Sequence, residues 1–192
     1  FHGQGRFYCG GEYNYKGEFK NGKFHGKGRM EYDNGEIFEG HFKNDRKTFG
    51  KWKLSDGNEY EGEVKNDTGH GKGKSTYKKS GKTYVGQFKN GSFHGKGKWW
   101  TKKGEVCEGQ FKNGARHGKG KQYYTKGEVA GTIYVGEWKD NKKSGKGKMK
   151  WYDGAVYTGQ WENDDYNGQG TLVETDGKIF KGIWKDGELI KK

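Results

Sequence analysis

The stretch Tyr84-Val85-Gly86-Gln87-Phe88-Lys89-Asn90-Gly91-Ser92-Phe93-His94-Gly95-Lys96-Gly97 decides the fold. Tyr84, Gly86 and Phe88 share one parity, while Val85, Gln87 and Lys89 share the other. Aromatic residues at period two mark a β-strand with one packed face. Asn90-Gly91 follows, and such a pair tolerates the positive φ that a two-residue hairpin turn demands. Alternation then resumes through Phe93, Gly95 and Gly97. The stretch predicts a β-hairpin.

Outward from it, aromatic-x-Gly-x-aromatic recurs along the whole chain. It is centred on Gly17, Gly40, Gly62, Gly86, Gly109, Gly136, Gly159 and Gly182, at spacings of 23, 22, 24, 23, 27, 23 and 23 residues. Gly-x-Gly returns nine residues after most of these, as in Gly26/Gly28 and Gly168/Gly170. A fixed period of this length signals a repeat architecture. Full units start at 15, 38, 60, 84, 107, 134 and 157, with half-units at 1–14 and 180–192, and residues 1–192 read as one domain. The unit starting at 38 is one residue short, keeps only Gly50 and has Thr48 where the first Gly belongs, so an irregular hairpin is expected there. The long interval places its extra residues in a turn at 127–131. Asp33-Asn34-Gly35, Asp56-Gly57, Asp153-Gly154 and Asp176-Gly177 supply turns between units.

Composition narrows the class. The chain is 28% hydrophobic and 33% charged, with net charge +13 and mean hydropathy −1.34. That profile belongs to disordered chains. The 11 Phe, 13 Tyr and 7 Trp argue for order, because disordered segments are poor in aromatics. There are 38 Gly and no Pro, and central strands keep their N–H donors by excluding Pro. No apolar run reaches the 18 residues of a spanning helix. Cys9 and Cys107 are too few for a disulfide framework, which points to a reducing compartment. Both read as free thiols, and Cys107 fills a packing position that is otherwise Tyr or Phe.

An isolated hairpin is marginal in water, so the units must stack. The expected fold is all-β: an elongated, twisted single-layer antiparallel β-sheet solenoid of stacked ~23-residue hairpins, with about 15 strands over roughly 70 Å. A strand glycine has no side chain, so a cross-strand ring can lie over its backbone.

The pattern Tyr-x-Gly-x-(Phe/Trp)-x-x-Gly-x-x-His-Gly-x-Gly, complete at 84–97, resembles the MORN repeat (membrane occupation and recognition nexus). The resemblance covers nearly the whole chain. It implies a twisted single sheet with an aromatic-lined groove. MORN repeats occur in junctophilins, plant phosphatidylinositol-phosphate kinases, a histone lysine methyltransferase, ciliary radial spoke head proteins and protist scaffolds. That spread implies a module whose fold does not give its function.

Parity assigns residues to two faces. Tyr60, Tyr84, Phe88, Trp99, Phe111, Tyr124, Tyr134, Trp138, Trp151, Tyr157 and Trp161 form the expected aromatic groove, with exposed rings as anchors for a partner helix or peptide. The candidate anion-binding residues are Lys96, Lys98, Arg116, Lys119, Lys121, Lys146 and Lys148. Glu18, Glu39, Glu61, Glu63, Glu108 and Glu137 share the lysine face, and ordinary Lys–Glu pairing at roughly 0.2–1 kcal/mol per pair is the plainer reading. Charge is uneven, however. Residues 84–127 hold ten basic and two acidic side chains, against five and eight in 153–192, which favours an anionic partner in the middle of the chain.

Catalytic chemistry is not indicated. His2, His25, His70, His94 and His117 recur once per unit, about 10 Å apart, so no two share a metal. Thr68 to Ser75 ends like a phosphate-binding loop but lacks the first Gly and reads as strand. No nucleophile sits with a base, so the chain reads as a non-enzyme without cofactor. The leading reading is a cytoplasmic scaffold or protein-interaction module of a cytoskeletal or ciliary assembly. One alternative is a peripheral module for anionic lipid, such as phosphoinositide. The other is a targeting domain of a larger enzyme, since the chain starts and stops inside a unit. A homodimer or end-to-end contact through a terminal repeat is also expected. Nucleic acid is disfavoured, because no reading motif accompanies the charge.

Overall fold

The computed structural model describes residues 1–192 and holds only strands and turns. The strands are β1 (Gly3–Cys9), β2 (Tyr13–Lys20), β3 (Lys23–Tyr32), β4 (Ile37–Lys43), β5 (Arg46–Lys53), β6 (Glu59–Lys65), β7 (Thr68–Tyr77) and β8 (Lys82–Lys89). There follow β9 (Ser92–Trp100), β10 (Glu105–Lys112), β11 (Ala115–Tyr124), β12 (Ile133–Lys139), β13 (Lys142–Lys150), β14 (Val156–Glu162), β15 (Asp165–Val173), β16 (Ile179–Lys185) and β17 (Glu188–Lys191). Two compact units result, Phe1–Ser92 and Phe93–Lys192. Within the first, β1 to β8 pair antiparallel in chain order. Within the second, β9 to β17 do the same. The all-β class and the hairpin repeat stand as the sequence implied. The strands number 17 rather than about 15, because the C-terminal half-unit is itself a hairpin, turning at Asp186-Gly187.

Tight turns close the hairpins. Asn21 and Gly22 both have positive φ, at 53° and 74°. Asn44-Asp45, Asn66-Asp67, Asp140-Asn141 and Asn163-Asp164 adopt the same conformation without glycine, which short polar side chains tolerate. These tips also join one repeat to the previous one. The Asp45 amide donates to the Phe24 carbonyl (3.0 Å), and Asp45 Oδ1 accepts from the Phe24 amide (2.8 Å). Asn141 holds Arg116 in the same way, and Asp164 holds Lys143.

A seam of directly paired glycines crosses each unit, for example Gly17, Gly28 and Gly40 or Gly136, Gly147 and Gly159. Where a hairpin carries the tyrosine, its ring lies on this seam. A Cβ at Gly28 would run into the Tyr15 ring, and one at Gly147 into the Tyr134 ring.

Beyond the seam the regular hairpins β2–β3, β6–β7, β10–β11, β12–β13 and β14–β15 bulge. Between the pairs Gly17–Gly28 and Phe19–Phe24, Glu18 alone faces His25, Gly26 and Lys27. Such a bulge leaves backbone groups without ladder partners, and two side chains satisfy them. The Tyr15 hydroxyl donates to the Glu18 carbonyl (2.9 Å), and Glu18 Oε1 accepts from the Lys27 amide (2.8 Å). Tyr60 with Glu63, Tyr134 with Glu137 and Tyr157 with Gln160 repeat the arrangement. Gly26 turns at φ +62°, and a Cβ there would strike the Glu18 carboxylate.

The hairpin expected to be irregular, β4–β5, keeps its ladder. Gly40 pairs with Gly50 and Phe42 with Lys47, leaving only Thr48 unpaired. The missing residue has come out of the bulge. The bulge glycine (Thr48 instead), the carboxylate (His41) and the tyrosine hydroxyl (Phe38) are absent together, because each serves the bulge.

Candidate functional site

One face of each unit is aromatic. Where a hairpin carries both, its tyrosine ring meets its second aromatic edge to face, as Tyr134–Trp138 (5.0 Å) and Tyr157–Trp161 (5.2 Å). It also meets the next hairpin's, as Tyr134–Trp161 (5.3 Å) and Tyr15–Phe42 (5.1 Å). Edge-to-face pairs are worth about 0.5–1.5 kcal/mol beyond area burial. This packing corrects the expectation of exposed anchor rings. Tyr60, Tyr84, Phe88, Trp99, Phe111, Tyr134, Trp138, Tyr157 and Trp161 are all buried, because neighbouring repeats close over them. Tyr124 and Trp151 are half-buried, and in the first unit Tyr32, Trp52 and Tyr77 are too. These rings, together with half-buried Tyr13, Tyr166 and Phe180 and exposed Phe7, are what the aromatic face presents to solvent. Burial pushes the phenols of Tyr15, Tyr60, Tyr157 and Tyr166 up to about 12, and Tyr134 also moves up.

A third ring covers some of these tyrosines. Phe24 stacks on Tyr15 at 4.0 Å and Tyr166 on Tyr157 at 3.8 Å. Three other hairpins put a cation at that position. Lys47, buried, lies 4.3 Å from the Trp52 ring centroid and 5.5 Å from that of Phe38, and its Nζ meets Asp67 at 2.8 Å. Arg116 stacks 3.9 Å over Trp138. Lys143 sits 5.1 Å over Trp161, and burial lowers its pKa. Arg116 therefore leaves the candidate anion-binding set. It lies on the aromatic face, donating to Gln122 Oε1 (2.9 Å) and the Asn141 carbonyl (2.7 Å). Gln122 in turn donates to Glu105 (2.7 Å) and Tyr124 (3.1 Å). Cys107 is buried where a tyrosine would stand.

The other face is charged, and here the units differ. In the first, acidic strands alternate with basic ones over β3–β7. Glu39 pairs across to Arg29 and Lys51, and Glu61 to Lys51 and Lys74. The Arg29–Glu39 ion pair is 3.3 Å and Lys51–Glu61 3.9 Å. In the second, Gln110, Val135, Thr158 and Gln160 take most of the acidic places. Lys96, Lys98, Lys119, Lys146 and Lys148 are exposed and Lys121 half-buried. Only Glu108, 3.4 Å from Lys98, and Glu137 interrupt them. Lys121 lies 4.8 Å from the Tyr123 ring. One row further along the strands the second unit is apolar. Direct pairing links Trp100, Val106, Tyr123, Ile133, Lys150, Val156, Val173 and Ile179. The matching row of the first unit reads Tyr8, Asn14, Glu31, Ile37, Lys53, Glu59, Thr76 and Thr83. No three metal-ligating side chains converge anywhere. Sequence reasoning missed the bulge acceptors Glu18, Glu63, Gln110, Glu137 and Gln160. Their signal was a Glu or Gln directly after the central glycine.

A family model described as the MORN repeat matches residues 15–37, 60–82, 84–106, 107–129, 134–156 and 157–178. It passes over β4–β5, the hairpin with the shortened bulge. No curated protein matches the sequence. Among solved structures, the SAS-4 TCP domain of Drosophila melanogaster, in complex with a proline-rich motif of Ana2, aligns at 12% identity and TM-score 0.50. It covers 95% of this chain and 90% of that one. The TCP10c domain of Drosophila melanogaster Sas-4 aligns at 10% identity and TM-score 0.44, covering 95% and 99%. At such identity the likeness concerns the fold alone.

Proposed function

Because this chain belongs to the MORN-repeat family, we propose that it is a protein-interaction module of a cytoskeletal or centriole-type assembly. Its aromatic face takes an extended or helical segment of a partner. The observation that carries this reading is that each unit presents half-buried rings, Tyr124 and Trp151 in the second and Tyr32, Trp52 and Tyr77 in the first. They stand on a buried aromatic layer and so are held without needing a partner. Aromatic surfaces of this kind seat polyproline segments, whose conformation is preformed. The SAS-4 domain holding a proline-rich motif supports a peptide of this class. The reading needs no catalytic group.

The test is fluorescence anisotropy with labelled proline-rich peptides and, in parallel, amphipathic helical peptides. Trp151→Ser and Tyr124→Ser are made in an otherwise intact chain. At least a tenfold loss of binding is expected with the circular dichroism spectrum retained. Binding unchanged in both variants overturns the aromatic face as the site.

A further inference from the structure

The opposite face of residues 93–192 carries a pattern that aromatic packing does not require. Its apolar row runs from Trp100 to Ile179 across β9–β16, with Lys150 as the single charged member. Trp100 and Ile179 are 37% and 68% exposed. The adjoining row contains Lys98, Lys121, Lys148 and Lys181 in one line of cross-strand neighbours. Lys96, Lys119 and Lys146 form a third line beyond it. An apolar strip thus lies beside a double row of lysines, with glutamate at only two places among them.

We propose that this face docks an acidic amphipathic helix of a partner protein, lying across the strands. Dimensions and charge both argue for it. Eight strands at about 4.8 Å make the strip about 34 Å long, the length of about 22 helical residues. The strip is one residue wide, which suits the narrow apolar stripe of a helix. The first lysine row lies about 7 Å to one side. That is within the half-width of a helix plus a lysine side chain, so acidic residues on one flank meet ammonium groups while apolar residues meet the strip. A membrane is a poorer match. Val106 is buried and Tyr123, Ile133, Val156 and Val173 are half-buried, so most of the strip does not protrude into an acyl layer. The first unit offers no such strip, because Glu31, Lys53 and Glu59 occupy the same row. This proposal is independent of the aromatic-face reading, since the two surfaces lie on opposite sides of the sheet.

The probe is a synthetic 22-residue helical peptide with leucine at i, i+3, i+4 and i+7 and glutamate along one flank. A scrambled peptide of equal composition is the control, alongside vesicles containing phosphatidylserine. The intended peptide is expected to bind at least tenfold tighter than the scrambled one. Deuterium exchange is expected to slow in β9–β16 and not in β1–β8. Lys121→Gln with Lys148→Gln, and separately Ile133→Ser with Val156→Ser, each reduce binding at least tenfold, while Lys51→Gln with Lys74→Gln, exposed lysines of the first unit, leave it unchanged. The pair at Lys121 and Lys148 is fully informative even where the apolar pair unfolds. Equal binding of the scrambled peptide, protection in β1–β8, or an equal loss of binding in Lys51→Gln with Lys74→Gln overturns the proposal. So does binding of the vesicles without binding of the peptide.

Discussion

Residues 1–92 and 93–192 are built from one hairpin, and they differ chiefly on the face that the hairpin does not need for folding. Both units place tyrosine over a glycine seam and pack each ring between successive repeats. On the opposite face the first unit alternates acidic and basic strands over β3–β7, so cross-strand neighbours there attract. The second replaces most of those glutamates with Gln, Thr and Val and leaves its lysines beside an apolar row. The aromatic side is constrained by packing, so substitutions there disturb two repeats at once. The charged side is constrained only by solvation, so it is free to diverge toward a partner. A second contrast lies within the aromatic layer. The first unit buries Lys47 with a counter-charge, whereas the second holds Arg116 and Lys143 by ring stacking and backbone bonds.

The largest expected effect tests the shared element. Tyr84→Ala and Tyr157→Ala each remove a fully buried ring and cost about 3–5 kcal/mol. Hydrogen exchange is expected to speed up mainly in the unit that carries the change, since each repeat leans on its neighbours. Uniform acceleration in both units would break the comparison. Next come the bulge glycines. Gly71→Ala and Gly145→Ala force a Cβ onto the Glu63 or Glu137 carboxylate at positive φ and are expected to cost at least about 1–2 kcal/mol by urea denaturation. Thr48 is the single extra residue of a shorter bulge and has no positive φ, so Thr48→Ala stays within about 0.5 kcal/mol. An equal cost at all three sites would mean that the short hairpin is not different.

Buried cations give an intermediate effect. Asp67→Asn keeps the turn but removes the counter-charge of Lys47 and is expected to cost about 1–3 kcal/mol. Lys47→Met, which replaces the pair's buried end by an apolar chain, is expected to be neutral or stabilising. Alkaline pH separates the units by their phenols. A phenol raised in the fold favours folding below its ordinary value near 10, and that contribution is lost as pH rises toward about 12. Tyr15 and Tyr60 act so in the first unit, and Tyr134, Tyr157 and Tyr166 in the second. Lys143, lowered by burial, works the other way and gains as pH rises toward 10.5, but it is one group against three. Tyrosinate absorbance is expected to appear together with unfolding between pH 10 and 12, with tryptophan fluorescence of the second unit changing first. The smallest effect is on the charged face, where Glu61→Gln is expected to cost about 0.2–1 kcal/mol and to vanish at high salt.

Much of this molecule was legible in the residues alone, and the reason is locality. Period-two aromatics, Asn-Gly turns and a 23-residue recurrence are properties of short segments, so strand, turn, repeat and all-β class followed without coordinates. Face assignment followed as well, except for Arg116, whose shared parity with Gly118 and Gly120 already placed it on the aromatic side. Three things depended on the tertiary structure. Whether Tyr84 or Trp138 stands in solvent depends on the ring of the next repeat, which no single hairpin contains. The role of Glu18 and its equivalents appears only when the bulge brings an unpaired amide, nine residues away, to its carboxylate. The apolar row of the second unit exists only in register. Trp100 and Ile179 are far apart in sequence and fall in one line because each hairpin fixes the alignment of the next, and that cumulative alignment is a property of the assembled sheet.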